Sequence, residues 1–206
     1  MNNLKVKRLE VGEMKSNCYL LSDLKEEVVL IIDPGEDTEY IQNNLIDTGF
    51  VPTAILLTHG HFDHILRAEE LRVSYDIPVY LNKKDNFLVE NMLSSANRFT
   101  YAGPALKLSN YRELKGEYKF FNNNVEVIHT PGHTPGSVSL YFKEANYLFV
   151  GDLMFEGGGV GRYDFSYSDR ERLFNSIDTI MELPEETRVF PGHGKPTTIE
   201  ALKYYF

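Results

Sequence analysis

Ala54-Ile55-Leu56-Leu57-Thr58-His59-Gly60-His61-Phe62-Asp63-His64 is an apolar run of strand length that ends in three histidines and an aspartate. A strand end hands its last residues to a loop, where donor side chains can converge on one point outside the sheet. Half of the chain's six histidines fall between positions 59 and 64. Gly60 is expected to allow unusual backbone angles and to remove a side chain that would crowd its two imidazole neighbours. Imidazole nitrogen and carboxylate oxygen suit Zn²⁺, and also Fe²⁺ or Mn²⁺. A lone histidine is more often a satisfied core or surface residue, but this density reads as a metal site.

The same arrangement recurs downstream. His133 lies in Thr130-Pro131-Gly132-His133-Thr134-Pro135-Gly136-Ser137, after the apolar run Val125 to His129. Asp152 follows Tyr147-Leu148-Phe149-Val150-Gly151, and His193 follows Thr187-Arg188-Val189-Phe190-Pro191-Gly192. Each is a strand end, a glycine and then a donor. His59, His61, Asp63, His64, His133, Asp152 and His193 are too many for one tetrahedral ion, which takes about four ligands. They suffice for two divalent ions if one carboxylate bridges, and Asp152, isolated from both histidine clusters, is the better bridge. His129, inside the turn before His133, is read as structural. Asp33, in Asp33-Pro34-Gly35, is read equally as a strand-end turn residue or as an acceptor that orients a ligand imidazole. Cys18, among apolar neighbours and outside any CxxC pattern, reads as a buried structural thiol.

Outward from these motifs, strand-like runs are expected at Leu4 to Val11, Cys18 to Leu21, Val28 to Ile32, Ala54 to Thr58, Pro78 to Leu81, Val125 to His129, Val138 to Phe142, Tyr147 to Val150 and Thr187 to Phe190. Several are continuously apolar, as in strands covered on both faces. Helical periodicity covers Thr38 to Asp47, Ile65 to Tyr75, Lys83 to Ser94, Asp169 to Leu183 and Ile199 to Tyr205. Ser168 and Glu171 have capping-box spacing at the start of the fourth helix. The alternation predicts an α/β protein with mixed sheets. A weak echo between Leu30-Ile31-Ile32-Asp33 and Leu148-Phe149-Val150-Gly151-Asp152 hints at two similar halves. The least periodic segment, Asn97 to Asn124, with its Asn122-Asn123-Asn124 turn, is read equally as a lid or as a surface connection.

With 206 residues, 42% of them apolar and 25% charged, the chain is long enough for a substantial core and is expected to be one domain. Its formal net charge of −9, without a long Lys/Arg run, argues against a nucleic-acid partner. One cysteine permits no intramolecular disulfide. The N-terminal stretch has no apolar signal region, and the longest apolar runs fall far below the roughly 20 residues that span a bilayer, so a cytoplasmic protein with no membrane partner is expected.

Taken together, Thr58 to His64, Thr130 to Ser137, Gly151-Asp152 and Pro191-Gly192-His193-Gly194 resemble the metallo-β-lactamase superfamily, and within it the glyoxalase II (hydroxyacylglutathione hydrolase) branch. The resemblance spans nearly the whole chain in the family's order. It implies a four-layer αββα sandwich with two mixed sheets over residues 1–206, without the helical C-terminal extension of glyoxalase II. By position, His59, His61 and His133 would hold one metal, Asp63, His64 and His193 the second, and Asp152 would bridge them. Zn is the expected metal, with Fe or Mn as alternatives. The implied activity is hydrolysis of a small-molecule thioester or ester by a metal-bridging hydroxide, with Asp63 orienting the nucleophile and taking its proton. Arg162 and Tyr163 are the nearest counterparts of the residues that contact glutathione in that branch, although the segment matches only in part. The enzymatic alternative is a persulfide dioxygenase with one iron on His59, His133 and Asp152, which Gly161-Arg162-Tyr163-Asp164-Phe165 resembles equally. A non-catalytic, metal-stabilised binding module is the third reading, disfavoured because a structural zinc needs only about four donors.

Overall fold

The computed structural model describes residues 3–101, 103–121 and 123–206, so Asn122 of the expected asparagine turn lies outside it. Two compact units divide the chain, Met1–Leu114 and Lys115–Phe206.

In the first unit, strands β1 (Leu4–Val11), β2 (Ser16–Asp23), β3 (Val28–Ile32), β4 (Val51–Leu56), β5 (Val79–Leu81) and β6 (Arg112–Glu113) form one sheet in sequence order. β1, β2 and β3 pair antiparallel, whereas β3 to β6 are mutually parallel. The parallel steps are crossed by α1 (Thr38–Thr48), by α2 (Phe62–Ile65) with α3 (Ala68–Tyr75), and by α4 (Asn86–Phe99). Every residue of β2 is buried, and β3 exposes none of its last four. This is why the central runs Cys18–Leu21 and Val29–Ile32 are continuously apolar rather than alternating. β1, at the sheet edge, alternates, with Lys5 and Lys7 exposed. Ile41 and Leu45 of α1 and Leu71 of α3 close the core over Val29, Ile31 and Ile55.

The second unit repeats the plan. Strands β7 (Gly116–Phe120), β8 (Asn123–His129), β9 (Val138–Phe142), β10 (Tyr147–Gly151), β11 (Arg188–Pro191) and β12 (Thr197–Thr198) also form one mixed sheet, with β10 and β11 parallel across α5 (Arg170–Met181). A last helix, α6 (Ile199–Leu202), packs Leu202 beside Ile177 and Ile180 of α5 in the second core. Thus β2-β3-α1-β4 and β9-β10-α5-β11 share one topology: an antiparallel hairpin followed by a helical crossover to a parallel strand. The echo in the sequence is a structural repeat. Asp33 and Asp152 end equivalent strands, and His59 and His193 follow equivalent strands.

Several local expectations need correction. The helix expected from Ile65 to Tyr75 is two helices, because the Arg67 N–H donates to the Pro34 carbonyl at 3.1 Å instead of continuing the spiral. The shorter, α2, begins inside the motif and places Asp63 and His64 on one helical turn. At α5 the N-cap is Asp169, whose carboxylate accepts from the Arg172 N–H at 3.1 Å. Ser168 instead donates to the His133 carbonyl at 2.7 Å. The aperiodic segment from 97 contains β6 and β7, too short and too exposed to show a period. Its loop is tied down by the Arg67 guanidinium on the Pro104 carbonyl at 2.9 Å and the Leu106 N–H on Glu70 at 3.0 Å, which favours the reading as a connection. Among the described residues no helix is long and apolar enough to cross a membrane.

The turn after β3 lies flat on the motif. A Cβ on Gly35 would sit 1.8 Å from the Asp63 carbonyl oxygen, a backbone atom that cannot swing aside. Gly35→Ala therefore forces the two segments apart, with an expected loss of at least about 1–3 kcal/mol in urea denaturation; an unchanged midpoint would refute this close approach. Beside it, Glu36 is only 5% exposed, and its Oε1 has no hydrogen-bond partner. Burial, reinforced by Asp37 and Glu13, raises its carboxyl above the ordinary range. An acid whose folded pKa is raised destabilises the fold above that pKa and has no effect once protonated in both states. Glu36→Gln is expected to stabilise the metal-free protein at pH 7, with the gain vanishing below about pH 4. A gain constant with pH would count against this origin.

Candidate metal centre

His59 follows β4 in a buried environment, and its orientation is determined by a chain of hydrogen bonds that starts on β3. Asp33 ends β3 in the left-handed region, φ 52°, with its side chain 2% exposed. Its Oδ1 accepts the Thr58 N–H at 2.7 Å, and its Oδ2 accepts the Thr58 hydroxyl at 2.6 Å. Having given its only proton to Asp33, that hydroxyl can only accept from His59 Nδ1 at 3.1 Å. His64 Nδ1 lies 3.3 Å from the same Asp33 Oδ2. Both imidazoles are thus protonated on Nδ1 and keep the Nε2 lone pair for a metal. The two readings of Asp33 merge: it is a strand-end turn residue, and it orients two candidate ligands. With both oxygens engaged, it acts as the acceptor behind the donors, although one donor atom each of Asp33, His59 and His64 lie within 4.8 Å.

Asp63 and His61 complete the first group. The Ser16 hydroxyl, from the buried start of β2, donates to Asp63 Oδ2 at 2.8 Å. The same oxygen lies 3.4 Å from His64 Nε2. His61 stands edge-on to His59, with ring centroids 4.9 Å apart, and its carbonyl accepts the His64 N–H at 3.0 Å.

In the second unit, His133 Nδ1 donates to the Arg162 carbonyl at 2.7 Å, again leaving Nε2 as the donor atom. Asp152 Oδ2 is 3.5 Å from His133 Nε2 and 3.6 Å from His193 Nε2. Phe165 and Phe155 set their rings against His133 and His193, each at 6.1 Å between centroids.

These separations test whether a metal fits. Pairs at 3.4–3.6 Å are too long for good charge-assisted hydrogen bonds. Two donors on one tetrahedral ion with bonds of about 2.1 Å lie about 3.4 Å apart. The donors therefore stand at ligand-to-ligand spacing, and the groups fit divalent metal ions.

Other expected residues fall outside this chemistry. His129 is exposed, and its Nε2 meets the Pro135 carbonyl at 2.9 Å, a turn-bracing role. Cys18 is fully buried, and desolvation drives its thiol pKa far up, which removes any nucleophilic thiolate. The Arg162 side chain is exposed, paired with Asp164 at 2.9 Å and stacked over Phe165 at 4.3 Å, while Tyr163 is 40% exposed. Ser16 escaped sequence reasoning because it is 47 residues from Asp63 and belongs to no motif.

With Asp33 placed on the Nδ1 side of two candidate ligands, Asp33→Asn is expected to leave a folded protein whose affinity for Zn²⁺ drops by about 10–100-fold in chelator competition. Unaltered affinity would refute the orienting role.

Comparison with known proteins agrees with the geometry. The model of the metallo-beta-lactamase superfamily matches residues 11–193. A probable metallo-hydrolase of Bacillus subtilis is 38% identical over 199 residues, covering 95% of this chain and 93% of that protein. The hydroxyacylglutathione hydrolase GloC of Haemophilus influenzae is 34% identical, covering 95% and 93%. The crystal structure of TTHA1623 in a di-iron-bound form superposes with a TM-score of 0.87 at 37% identity, covering 97% of this chain and 98% of that one. Two mixed sheets with flanking helices, carrying the histidine and aspartate donors at their strand ends, are the α/β sandwich of this family, and the chain belongs to the metallo-β-lactamase superfamily of metallo-hydrolases.

Proposed function

We propose that the protein is a binuclear metal-dependent hydrolase of small thioesters, similar to hydroxyacylglutathione hydrolases. The observation that carries this reading is the Asp152 carboxylate. One of its oxygens lies 3.5 and 3.6 Å from two imidazole Nε2 atoms, which supports a carboxylate shared between two ions. In this reading His59, His61 and His133 hold one ion, Asp63, His64 and His193 the other, and Asp152 both; such a pair supplies a water acidified toward neutrality and an electrophile for a carbonyl oxygen. Support for a thioester as substrate comes from the GloC relative at 34% identity.

The chain's own residues have definable tasks. Asp63 is held through Oδ2 by the Ser16 hydroxyl, so this carboxylate is positioned before substrate arrives. That leaves Asp63 to orient the attacking water and take its proton. Asp33 keeps His59 and His64 in the Nε2-donor tautomer, and the Arg162 carbonyl does the same for His133. Tyr163 and the Arg162–Asp164 pair stand on the loop that bears this carbonyl and are proposed to meet the thiol portion of the substrate.

The test is metal quantification paired with a panel of acyl-thioesters, simple esters and a β-lactam. Two metals per chain and thioester turnover are expected. Asp63→Ala is expected to lower kcat by about 10²–10⁴-fold, and His64→Ala to release one metal. Two bound metals with no hydrolysis of any thioester would overturn the proposal. One iron per chain, with His64 dispensable and sulfur-dependent oxygen uptake, would replace it with the dioxygenase reading.

A further inference from the structure

Gly60 separates His59 from His61, and its peptide is held by a residue outside the motif. Its main-chain N–H donates to Asp85 Oδ2 at 2.8 Å. Asp85 is fully buried and lies at the N-cap of α4, yet its side chain makes no capping bond to that helix. An N-cap aspartate ordinarily turns its carboxylate to the free N–H groups of its own first turn, a contribution of about 1 kcal/mol. Here the carboxylate points to the histidine loop instead.

The packing shows how closely the two are matched. A Cβ on Gly60 would lie 2.8 Å from Asp85 Cβ, 3.0 Å from Leu88 Cβ and 3.2 Å from the Asp85 carbonyl oxygen. Gly60 is not among the residues with positive φ, so the unusual backbone angle expected from sequence is not what requires glycine. The requirement is the close approach of Asp85 and Leu88. The start of α4 is itself anchored: the Asp85 N–H donates to the Asn82 carbonyl at 3.1 Å, and Asn82 Oδ1 accepts the Lys84 N–H at 3.1 Å. Asp85 is therefore a fixed point against which the Gly60 peptide is set.

We infer that Asp85 is a positioning residue of the metal centre: through the Gly60 peptide it sets the spacing and direction of His59 and His61. Asp33 acts on the ring nitrogens of the histidines on either side of His61, and Asp85 acts on the main chain between the first two. An ion held by both imidazoles needs one ring nitrogen of each at ligand spacing, and a peptide free to rotate between them would lose it. This assignment rests on the reading of His59 and His61 as metal ligands.

The probes are Zn²⁺ alone, titrated against a chromophoric chelator, and Co²⁺, whose visible spectrum reports ligand geometry. Asp85→Ala is expected to weaken Zn²⁺ binding by about 10–100-fold and to alter the Co²⁺ spectrum. Asp85→Asn, whose side-chain carbonyl can still accept the Gly60 N–H, is expected to restore most of the affinity. Leu88→Ala, which keeps the Cβ facing Gly60 and trims the rest of a half-buried neighbouring side chain without touching the hydrogen bond, should lower Tm and leave affinity and spectrum as in the wild type. A purely structural Asp85 would make Asp85→Ala behave like Leu88→Ala, and that result overturns the inference. Should Asp85→Ala fail to fold, Asp85→Leu, similar in shape but with no acceptor, takes its place, and wild-type affinity in that variant overturns it equally. If His59→Ala/His61→Ala binds Zn²⁺ as the wild type does, the metal reading of the motif itself fails, and this assignment falls with it.

Discussion

The carboxylate of Asp33 is the constraint on which the first half of the site depends. Nearly excluded from solvent, it accepts the Thr58 N–H and hydroxyl and faces His64 Nδ1. A buried carboxylate is tolerated only when its oxygens are satisfied, and removing one partner is costly. The ends of β3 and β4 are therefore locked in one relation, and every histidine downstream of Thr58 inherits its starting point from that lock. Gly35, two residues on, lets the same turn lie against the Asp63 carbonyl. The motif is thereby held by its flank as well as by its own helix.

The second half solves the equivalent problem in another way. Asp152 ends β10 as Asp33 ends β3, and His193 follows β11 as His59 follows β4. In one half the strand-end aspartate is turned back to orient histidines, and in the other it is turned outward to stand among them. The task Asp33 performs on ring nitrogens is performed for His133 by the main-chain carbonyl of Arg162. A backbone acceptor gives the same tautomer without adding a charge, which suits a group whose neighbouring carboxylate already carries one. Repetition of topology did not require repetition of chemistry.

This division bears on function. In a metallo-hydrolase the metal performs the difficult steps, and the protein's contribution is the direction of its donors, their protonation state and the exclusion of alternatives. Here donor direction is built into main-chain turns and buried acceptors. The Arg162, Tyr163 and Asp164 side chains are exposed and Arg162 pairs with Asp164, while the Arg162 carbonyl and the Phe165 ring stay against His133. Exposed side chains on such a loop can vary while its main chain keeps the histidine contact, which is one way a family fold can serve several substrates.

Much of this was legible before the structure. The α/β class, most strand runs and the seven candidate donors can be read from residue types and spacing, because a ligand cluster must be dense and a buried strand is often continuously apolar. The repeat was legible only as a faint echo, since two equivalent strands need share no more than an apolar run and a terminal aspartate. What tertiary structure alone decided is which groups each aspartate meets. Asp33, Asp63, Asp85 and Asp152 are the same residue type, yet Asp33 meets Thr58 and His64, Asp63 the Ser16 hydroxyl, Asp85 the Gly60 N–H, and Asp152 the imidazoles of His133 and His193. These contacts depend on which N–H, hydroxyl or imidazole the folded chain brings to each carboxylate, from as far as 47 residues away. Hydrogen bonds reach only about 3 Å, so a linear sequence cannot display them.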